Sequence, residues 1–312
     1  MKKFDAWKDT TPQYKANLHS HSTNSDGLLS PEKMVEAYKN EGYKILAFTE
    51  HELYTNTSEY DSEDFLVLPG IERSIQLNQE EYHINGIGDP NSENLLKHGE
   101  FIEVPQFHDI SDVQRIIDEL KEADNFVTIN HPYWSCNKIQ DLVSLRNYDA
   151  VEVFNFSCQV GIGNGDSETY VDQLLWANQP KFVLATDDNH NLHRYEEGIT
   201  MRDSFGGWIN IVSEEFSKGA IYQALKRGSF YASSGPTIKN YGILDGKLYV
   251  ECSPCKKVIF RSFPRRGYTI YGEDSLLERA EYTPRGGEKS FRIVCVDEEG
   301  RKAWTNISIF QE

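Results

Sequence analysis

Histidine and acidic residues recur at the ends of a series of short apolar segments in this 312-residue chain. Segments with helical periodicity separate several of these apolar segments, which predicts alternating strands and helices. In a βα barrel the carboxyl ends of parallel strands converge on one face, so residues distant in sequence meet there. We therefore expect an α/β domain that brings these side chains together. They are His19, His21, Asp26, His51, Glu72, His83, His131, Asp188 and His190.

The segment SPEKMVEAYKNEGYK is the clearest helix in the sequence. Ser30 is suited to the N-cap and Pro31 to the first helical position, and Gly42 is suited to end the helix. Further helices are predicted at 109–123 and 166–179. The predicted strands are KILAFT (44–49), FLVL (65–68), EYHINGI (81–87), NFVTIN (125–130), AVEVFN (150–155) and KFVLAT (181–186).

The sequence pattern changes after residue 235. From Pro236 onward, strand-like segments are divided by DG, RG, PRGG and EEG turns, and no long helical pattern appears. We predict a barrel domain at 1–235 and a small all-β, sandwich-like domain at 236–312. The junction is expected at SSGP, residues 233–236.

Composition limits the classes of partner. The net charge of −17 argues against a nucleic-acid surface, although it leaves a nucleotide substrate possible. No apolar stretch approaches the roughly 20 residues of a membrane helix, and no signal-peptide pattern is found, so we expect a cytoplasmic protein. Cys252 and Cys255 form one CxxC pair, interpreted as ordinary reduced thiols, with a structural zinc or redox role as the alternative.

The strand-end residues offer imidazole and carboxylate ligands without cysteine, which suits Zn, Mn or Fe(II). Alternate residues of an extended segment point the same way, so His19 and His21 can reach one ion, as can Asp188 and His190. The donors outnumber what one ion uses. We therefore expect two or three divalent ions, with Glu72 able to bridge a pair about 3.5–4 Å apart. Spacing to His190 favours Asp188 over its neighbour Asp187 as the ligand, whereas His98, His108 and His193 are interpreted as ordinary surface or core histidines.

The motifs LHSHSTNSDG, TEH, PGIE, the histidine of HINGIG, NHP and DDNH follow one another across residues 17–190. In this order and spacing the chain resembles the PHP (polymerase and histidinol phosphatase) superfamily. The segment GWINIVSEEFSKGAIYQALKRGSFYASSGP and the later AWTN are similar to its carbaryl-hydrolase-like branch, in which such a segment precedes a small β domain.

The resemblance implies a distorted seven-stranded βα barrel with a trinuclear centre and phosphoesterase activity. It implies three ligand sets: His19, His21, Glu72 and Asp188; then Glu72, His83 and His131; then Asp26, His51 and His190. Phosphatase members often carry an arginine soon after the HP motif, whereas this chain has HPYW. Contacts to a phosphate would then come from other cations, for which the candidates are Arg73, Lys138, Arg194 and Arg202.

We predict hydrolysis of a small phosphate ester or nucleotide by a metal-bound hydroxide, in which Asp188 or His190 assists proton transfer. One alternative is hydrolysis of a carboxylic ester, carbamate or amide at the same centre. An alternative of another class is a metal-stabilised binding or accessory protein without turnover. Four aromatic residues near the motifs either stack on a substrate ring or serve packing. They are Tyr54, Tyr133, Trp134 and Phe156.

Overall fold

The structure is a computed structural model and describes residues 4–77, 79–103, 108–191, 194–195, 198–199 and 202–310. Its helices are α1 (Pro31–Asn40), α2 (Ile110–Glu122), α3 (Ile139–Ser144), α4 (Phe156–Ile162), α5 (Glu168–Trp176) and α6 (Lys218–Arg227). Its strands are β1 (Phe4–Asp5), β2 (Gln13–Asn17), β3 (Ile45–Ala47), β4 (Leu66–Leu68), β5 (Gly70–Leu77), β6 (Glu80–Gly88), β7 (Asn125–Ile129), β8 (Ala150–Asn155), β9 (Phe182–Thr186), β10 (Arg194–Tyr195), β11 (Gly198–Ile199), β12 (Trp208–Val212), β13 (Phe230–Ser233), β14 (Ile238–Leu244), β15 (Lys247–Cys255), β16 (Lys257–Phe263), β17 (Arg266–Tyr271), β18 (Leu277–Tyr282), β19 (Ser290–Val296), β20 (Lys302–Thr305) and β21 (Ser308–Ile309).

The site-bearing strands lie in two sheets. Strands β5 to β9 form one sheet in chain order, whereas β2, β3 and β4 lie side by side in a longer sheet. Pairing is parallel among β2, β3 and β4 and among β7, β8 and β9. It is antiparallel between β5 and β6 and between β6 and β7. The expectation of parallel strands was therefore wrong for β6. Its neighbour β5 was not predicted, and the two residues between Leu77 and Glu80 are far too few for a crossover connection between them.

The longer sheet continues from the first part of the chain into the last. Its order is β17-β16-β19-β20-β13-β12-β2-β3-β4, and β13 pairs with β20 through Tyr231 and Thr305. A separate sheet, ordered β1-β14-β15-β18, includes the N-terminal strand Phe4–Asp5. Buried apolar residues of β14 and β15 form a common core with residues of β16 and β19. The first described residues thus contribute to the C-terminal β region, while the boundary between residues 235 and 236 stays a prediction.

Predicted helices correspond to α1, α2 and α5. In α1 the side chains of Met34, Val35 and Tyr38 are buried, as the helical spacing predicts. Helix α2 begins with a capping box formed by Asp109 and Asp112. Helices α3, α4 and α6 were not predicted. Among these α4 matters most for the site, because it directly follows β8 and its residues line a cavity described below.

The connection between the two sheets bears on the predicted barrel. Strands β4 and β5 are separated by Pro69 alone, yet they belong to different sheets. Strand β9, at one edge of the five-stranded sheet, contacts β12 and β13 of the longer sheet. A closed seven-stranded barrel therefore stays a prediction.

Within the described ranges, no helix has both the length and the apolar character to cross a membrane.

Candidate metal centre

The structure brings all nine predicted ligand residues into one continuous cluster. Three groups share members, and within each group one candidate donor atom per residue lies within 4.8 Å of the others. The groups overlap at His21 and Glu72. They are His19, His21, Glu72 and Asp188; Glu72, His83 and His131; and His21, Asp26, His51 and His190. The first two sets equal those that the resemblance implies, and the third gains His21.

His19 lies between an outer carboxylate and two inner ones. Its Nδ1 atom is 2.6 Å from Glu152 Oε1. Its Nε2 atom is 3.1 Å from Glu72 Oε1 and 3.0 Å from Asp188 Oδ1. Because an ionised carboxylate only accepts hydrogen bonds, Glu152 fixes the neutral imidazole with its proton on Nδ1. The lone pair of Nε2 then faces Glu72 and Asp188, which is the orientation that a metal-binding histidine needs.

Buried donor atoms at the centre of the cluster have no hydrogen-bond partner. His21 Nε2 is 3.1 Å from Glu72 Oε2 and 3.2 Å from Asp188 Oδ1, and all three side chains are largely or fully buried. Nevertheless His19 Nε2, both ring nitrogens of His21 and Glu72 Oε2 make no hydrogen bond among the described residues. Buried polar atoms are almost always paired, so these residues fit divalent metal ions as their missing partners.

Glu72 is the residue common to the first two groups. Its Oε1 atom accepts a hydrogen bond from Asn130 Nδ2 at 2.7 Å and lies 3.2 Å from His83 Nδ1. His131 approaches the same centre from the turn after β7, and its Nδ1 atom is 2.9 Å from Ser135 Oγ. Asn130 and Ser135 thus hold ligand candidates in place from outside the cluster, an arrangement common around metal sites.

The third group forms the solvent-facing side of the cluster. The Asp26 side chain is 53% exposed, and its Oδ2 atom lies 3.4 Å from His190 Nε2 and 3.7 Å from His51 Nε2. The Nδ1 atom of His190 lies 3.0 Å from the Asp188 carbonyl oxygen, so in the neutral ring Nε2 carries the lone pair. Gly27 is required beside Asp26, since a Cβ atom there would lie 2.4 Å from the His21 carbonyl oxygen.

The charges of the buried imidazoles and carboxylates shift one another's pKa values. Burial lowers the pKa of His19, but the charges of Asp188 and Glu72 offset this and raise it well above the ordinary value. Burial raises the pKa of Glu72, but His19, His83 and His51 lower it well below the ordinary value. The buried carboxylates therefore stay ionised and demand positive charge nearby. Divalent ions would supply that charge in place of protons on the imidazoles.

Two cluster residues have unusual backbone conformations. Asp188 has a φ of 54° and His131 a φ of 26°, and neither is a glycine. Such values cost free energy and concentrate at functional sites, where the surrounding structure enforces them. Here the backbone nitrogen of Asp188 donates to the His19 carbonyl oxygen, and that of His131 donates to Glu152. These hydrogen bonds therefore hold the backbone in a conformation that points both side chains at the cluster.

Asp187 and Glu152 have different roles from those of the nine ligand candidates. The Asp187 carboxylate accepts hydrogen bonds from the backbone nitrogens of Phe205, Gly206 and Gly207, which makes it a structural residue. Glu152 contacts His19 and accepts from Thr186 Oγ1 at 2.6 Å. Sequence reasoning missed Glu152, although a carboxylate within the apolar strand AVEVFN was an available signal.

A cavity of about 360 Å³ opens beside the cluster. Its lining includes six of the ligand candidates together with Trp134, Ser157, Cys158, Gly161 and Ile162. Tyr133 is exposed and is not among the lining residues, and Tyr54 is fully buried in the core, where it serves packing. Phe156 does not line this cavity but a larger one on the other side of α4.

The structure does not bring the predicted phosphate-contacting cations to this cavity. The Arg73 guanidinium is 3% exposed and paired with Glu52, and Lys138 is paired with Glu80. Arg202 is not among the lining residues. The side chain of Arg194, like His193, lies outside the described residues. No lysine or arginine lines the cavity among the residues that the structure describes.

Residues 17–132 match the family model of the PHP domain. Over these residues the chain carries a PHP domain, as the resemblance predicted. A search of curated proteins finds no match. The branch that resembles carbaryl hydrolases stays a prediction.

Solved structures that resemble this chain share little sequence identity with it. A two-domain protein from Bacteroides vulgatus, which contains a predicted PHP-like metal-dependent phosphoesterase, is 16% identical with a TM-score of 0.51 and aligns over 96% of this chain and 88% of its own. This likeness shows the fold alone, that of a two-domain PHP-like protein with α/β content.

Two further solved structures are less similar to this chain. One is assigned as a metal-dependent phosphoesterase from Bifidobacterium adolescentis, with 16% identity, a TM-score of 0.43, and coverage of 62% of this chain and 94% of its own. The other is an amidohydrolase from Chromobacterium violaceum, solved with sulfate and no metal, with 13% identity, a TM-score of 0.43, and coverage of 59% and 89%.

Proposed function

We propose that the chain is a metal-dependent hydrolase that acts on a small phosphate ester or nucleotide. One observation carries the proposal: imidazole and carboxylate atoms converge in overlapping groups, and four of the buried ones have no hydrogen-bond partner among the described residues. The donor set of nitrogen and oxygen atoms suits Mn, Zn or Fe(II). The number of donors favours two or three ions over one. Each of the nine ligand roles is part of this proposal.

Divalent ions at this site would lower the pKa of a bound water and neutralise charge that develops on the substrate. The chain's own residues supply positioning and proton transfer. Glu72 joins two of the donor groups, so its loss disconnects them. His190 lies beside the cavity, near the solvent-facing Asp26, and we assign proton transfer to His190 or Asp188. Glu152 keeps the His19 ring in its binding tautomer.

A cavity of about 360 Å³ accommodates a small molecule and leaves little room for a folded polymer. Trp134 lies with its ring 5.0 Å from that of His131 and is available to contact an aromatic or apolar substrate group. We assign the substrate to the small-molecule class on this basis. A cytoplasmic location and a closed seven-stranded barrel, with a domain boundary after residue 235, accompany the proposal as further predictions.

A second candidate function is hydrolysis of a carboxylic ester, carbamate or amide. The lining of the cavity favours it, because the described lining residues include Trp134, Cys158 and Ile162 but no lysine or arginine. A dianionic phosphate monoester gains most from such cations. An uncharged ester or amide does not need them. A binding protein without turnover is the remaining alternative and predicts the same metal content.

The test is elemental analysis of protein purified without chelators and again after loading with Mn²⁺ or Zn²⁺. The same samples are assayed with p-nitrophenyl phosphate, bis-p-nitrophenyl phosphate and p-nitrophenyl acetate. Two or three ions per chain with metal-dependent turnover of a phosphate ester supports the first proposal. Turnover of the acetate alone favours the second function, and bound metal without turnover favours the binding protein. Less than one ion per chain after loading would overturn the metal assignment.

A further inference from the structure

Three of the chain's cysteines meet inside the C-terminal β region. The sulfur atoms of Cys252, Cys255 and Cys295 all lie within 4.8 Å of one another, and all three residues are completely buried. Cys252 and Cys255 belong to β15, whereas Cys295 lies on β19 in the other sheet. The sulfur cluster therefore joins the two sheets that share this core. It contains none of the ligand candidates of the proposed hydrolytic centre.

The backbone of β15 is irregular where it presents two of these sulfurs. In a regular strand, residues three positions apart point to opposite faces of the sheet. The pairing of β15 with β18 shifts register between Glu251 and Cys255, and Pro254 within this stretch has no backbone N–H to donate. Such irregularities re-aim side chains. Here the result is that Cys252 and Cys255 both face Cys295.

We propose that Cys252, Cys255 and Cys295 form a three-thiolate site for one soft metal ion, Cu(I) being the ion that it suits best. A metal–sulfur distance of about 2.3 Å in a planar three-sulfur site requires sulfur atoms about 4 Å apart, within the observed spacing. Thiolates select soft ions, and structural Zn²⁺ almost always takes four ligands. A fully buried three-donor set therefore favours Cu(I). Binding replaces three S–H bonds by three S–Cu bonds and releases three protons without electron transfer.

The alternative is that the cysteines are ordinary small apolar core residues. One fact weighs against it: the three sulfurs lie within 4.8 Å of one another across two sheets instead of being dispersed through the core. The hydrogen bond from Cys252 Sγ to the Leu277 carbonyl oxygen, at 3.6 Å, is a weak competitor for that thiol. An odd number of thiols also leaves one unpaired in any internal disulfide.

The experiment uses the full-length reduced protein, freed of metal and titrated anaerobically with Cu(I) supplied as its acetonitrile complex. We expect thiolate-to-copper ultraviolet absorption that saturates at one copper per chain. X-ray absorption at the copper edge should show three sulfur neighbours, more than the hydrolytic centre can supply, because Cys158 is the one cysteine among the described lining residues of its cavity. These two measurements on the wild-type protein need no substitution and so do not depend on whether a variant folds.

Variants locate the site. Copper binding should also raise the Tm of the wild-type protein. The double substitution Cys252→Ser/Cys295→Ser should abolish both the absorption and this increase in Tm. Cys136→Ser/Cys158→Ser, which removes the two cysteines outside the cluster, should retain both. Three results would each overturn the proposal: a first shell of nitrogen or oxygen only, absorption that survives in Cys252→Ser/Cys295→Ser, or a disulfide between two of the three cysteines in protein purified without reductant. Failure of the hydrolytic proposal changes none of these measurements.

Discussion

Two regions of this molecule bury carboxylates, and they neutralise them differently. The first is the metal centre, where Glu72 and Asp188 face imidazoles. The second, here the arginine cluster, joins helix α5 to the C-terminal β region. In it, Arg292 Nη2 donates to Glu168 Oε1 and Asp172 Oδ1, both at 2.8 Å. The cluster consists of Glu168, Asp172, Arg261, Arg292 and Lys302.

The difference lies in what completes each region. Every carboxylate of the arginine cluster has a protein cation as partner. At the metal centre, by contrast, Glu72 Oε2 and the Nε2 atoms of His19 and His21 are buried without hydrogen bonds among the described residues. A buried charge needs a partner, so the arginine cluster is complete within the chain and the metal centre requires added cations. The two regions should therefore respond in opposite ways to substitution and to metal.

The sharpest test of this difference is Glu72→Gln. Because Glu72 belongs to two donor groups, we expect loss of at least one bound ion per chain and activity more than roughly 100-fold below wild type. The stability of the metal-free variant should change by less than that of Arg292→Met, because the imidazoles that offset the Glu72 charge can release their protons once that charge is removed, whereas an arginine cannot. Elemental analysis, turnover and urea unfolding measure the three quantities.

Glu63→Gln, on an exposed loop residue, is the matched control for Glu72→Gln and should change none of them. Full turnover with wild-type metal content in Glu72→Gln would contradict the bridging role. A loss of stability in the metal-free variant as large as that expected for Arg292→Met would contradict the difference between the two regions.

The converse test is Arg292→Met in the arginine cluster. The Arg292 side chain is 3% exposed, so its loss leaves Glu168 and Asp172 without their most buried partner. We expect a loss of unfolding free energy of about 3–5 kcal/mol, with metal content unchanged in the folded fraction. Urea unfolding measures the first and elemental analysis the second.

The control is Arg261→Met, which affects the same two carboxylates. The Arg261 side chain is 44% exposed, so water screens its pairing and the expected loss is below about 1 kcal/mol. Equal losses in the two arginine variants would show that burial does not set the value of these ion pairs.

Glu152→Gln tests the outer partner of the metal centre. The glutamine side chain could still contact the ring but would no longer be restricted to accepting from Nδ1, so the His19 tautomer would lose its control. We expect a loss of roughly 10- to 100-fold in metal affinity or activity. Titration with a metal-competing chelator measures the affinity. Ser135→Ala, which removes the neutral partner of His131, is the comparison and should cost less; an affinity equal to wild type in Glu152→Gln would remove Glu152 from the site.

The nine ligand candidates were predictable from sequence because their chemistry and spacing are local. HxH and DxH place alternate side chains together on extended backbone. Convergence was also predictable, since apolar segments preceding most of these motifs implied neighbouring strands. Glu72 and His83 are instructive exceptions. They lie within β5 and β6, an antiparallel pair, and not at parallel strand ends, yet Glu72 and His83 still meet because cross-strand neighbours share a face.

Other features depended on contacts distant in sequence. Glu152 lies in a strand that reads as apolar, and only the fold places it against His19, 133 positions away. Cys295 likewise gave no signal beside the CxxC pair, because it reaches the cluster from the facing sheet. The positive φ of Asp188 and His131 could not be predicted, since aspartate and histidine adopt it more often than most residues but still only in a minority of cases. Ligand candidates within a motif can thus be predicted from the sequence, whereas the residues that contact them from other strands are identified only in the structure.

The smallest predicted effect is the pH dependence of the arginine cluster. Burial raises the pKa of Glu168, but Arg292, Lys302 and Arg261 more than offset this and lower it to about 2. A carboxylate whose pKa is lowered by folding stabilises the fold at any pH above the pKa that it has in the unfolded chain, about 4.5. This stabilisation is lost as the pH falls towards the folded-state pKa of about 2. Between pH 7 and pH 4, wild type should therefore lose about 1 kcal/mol more unfolding free energy than Glu168→Gln. Urea unfolding of both chelator-treated proteins measures the difference, in which titration of the histidine cluster cancels because both proteins share it. Parallel pH profiles would mean that Glu168 is not held ionised by its arginines, and the contrast with the metal centre would then rest on hydrogen bonding alone.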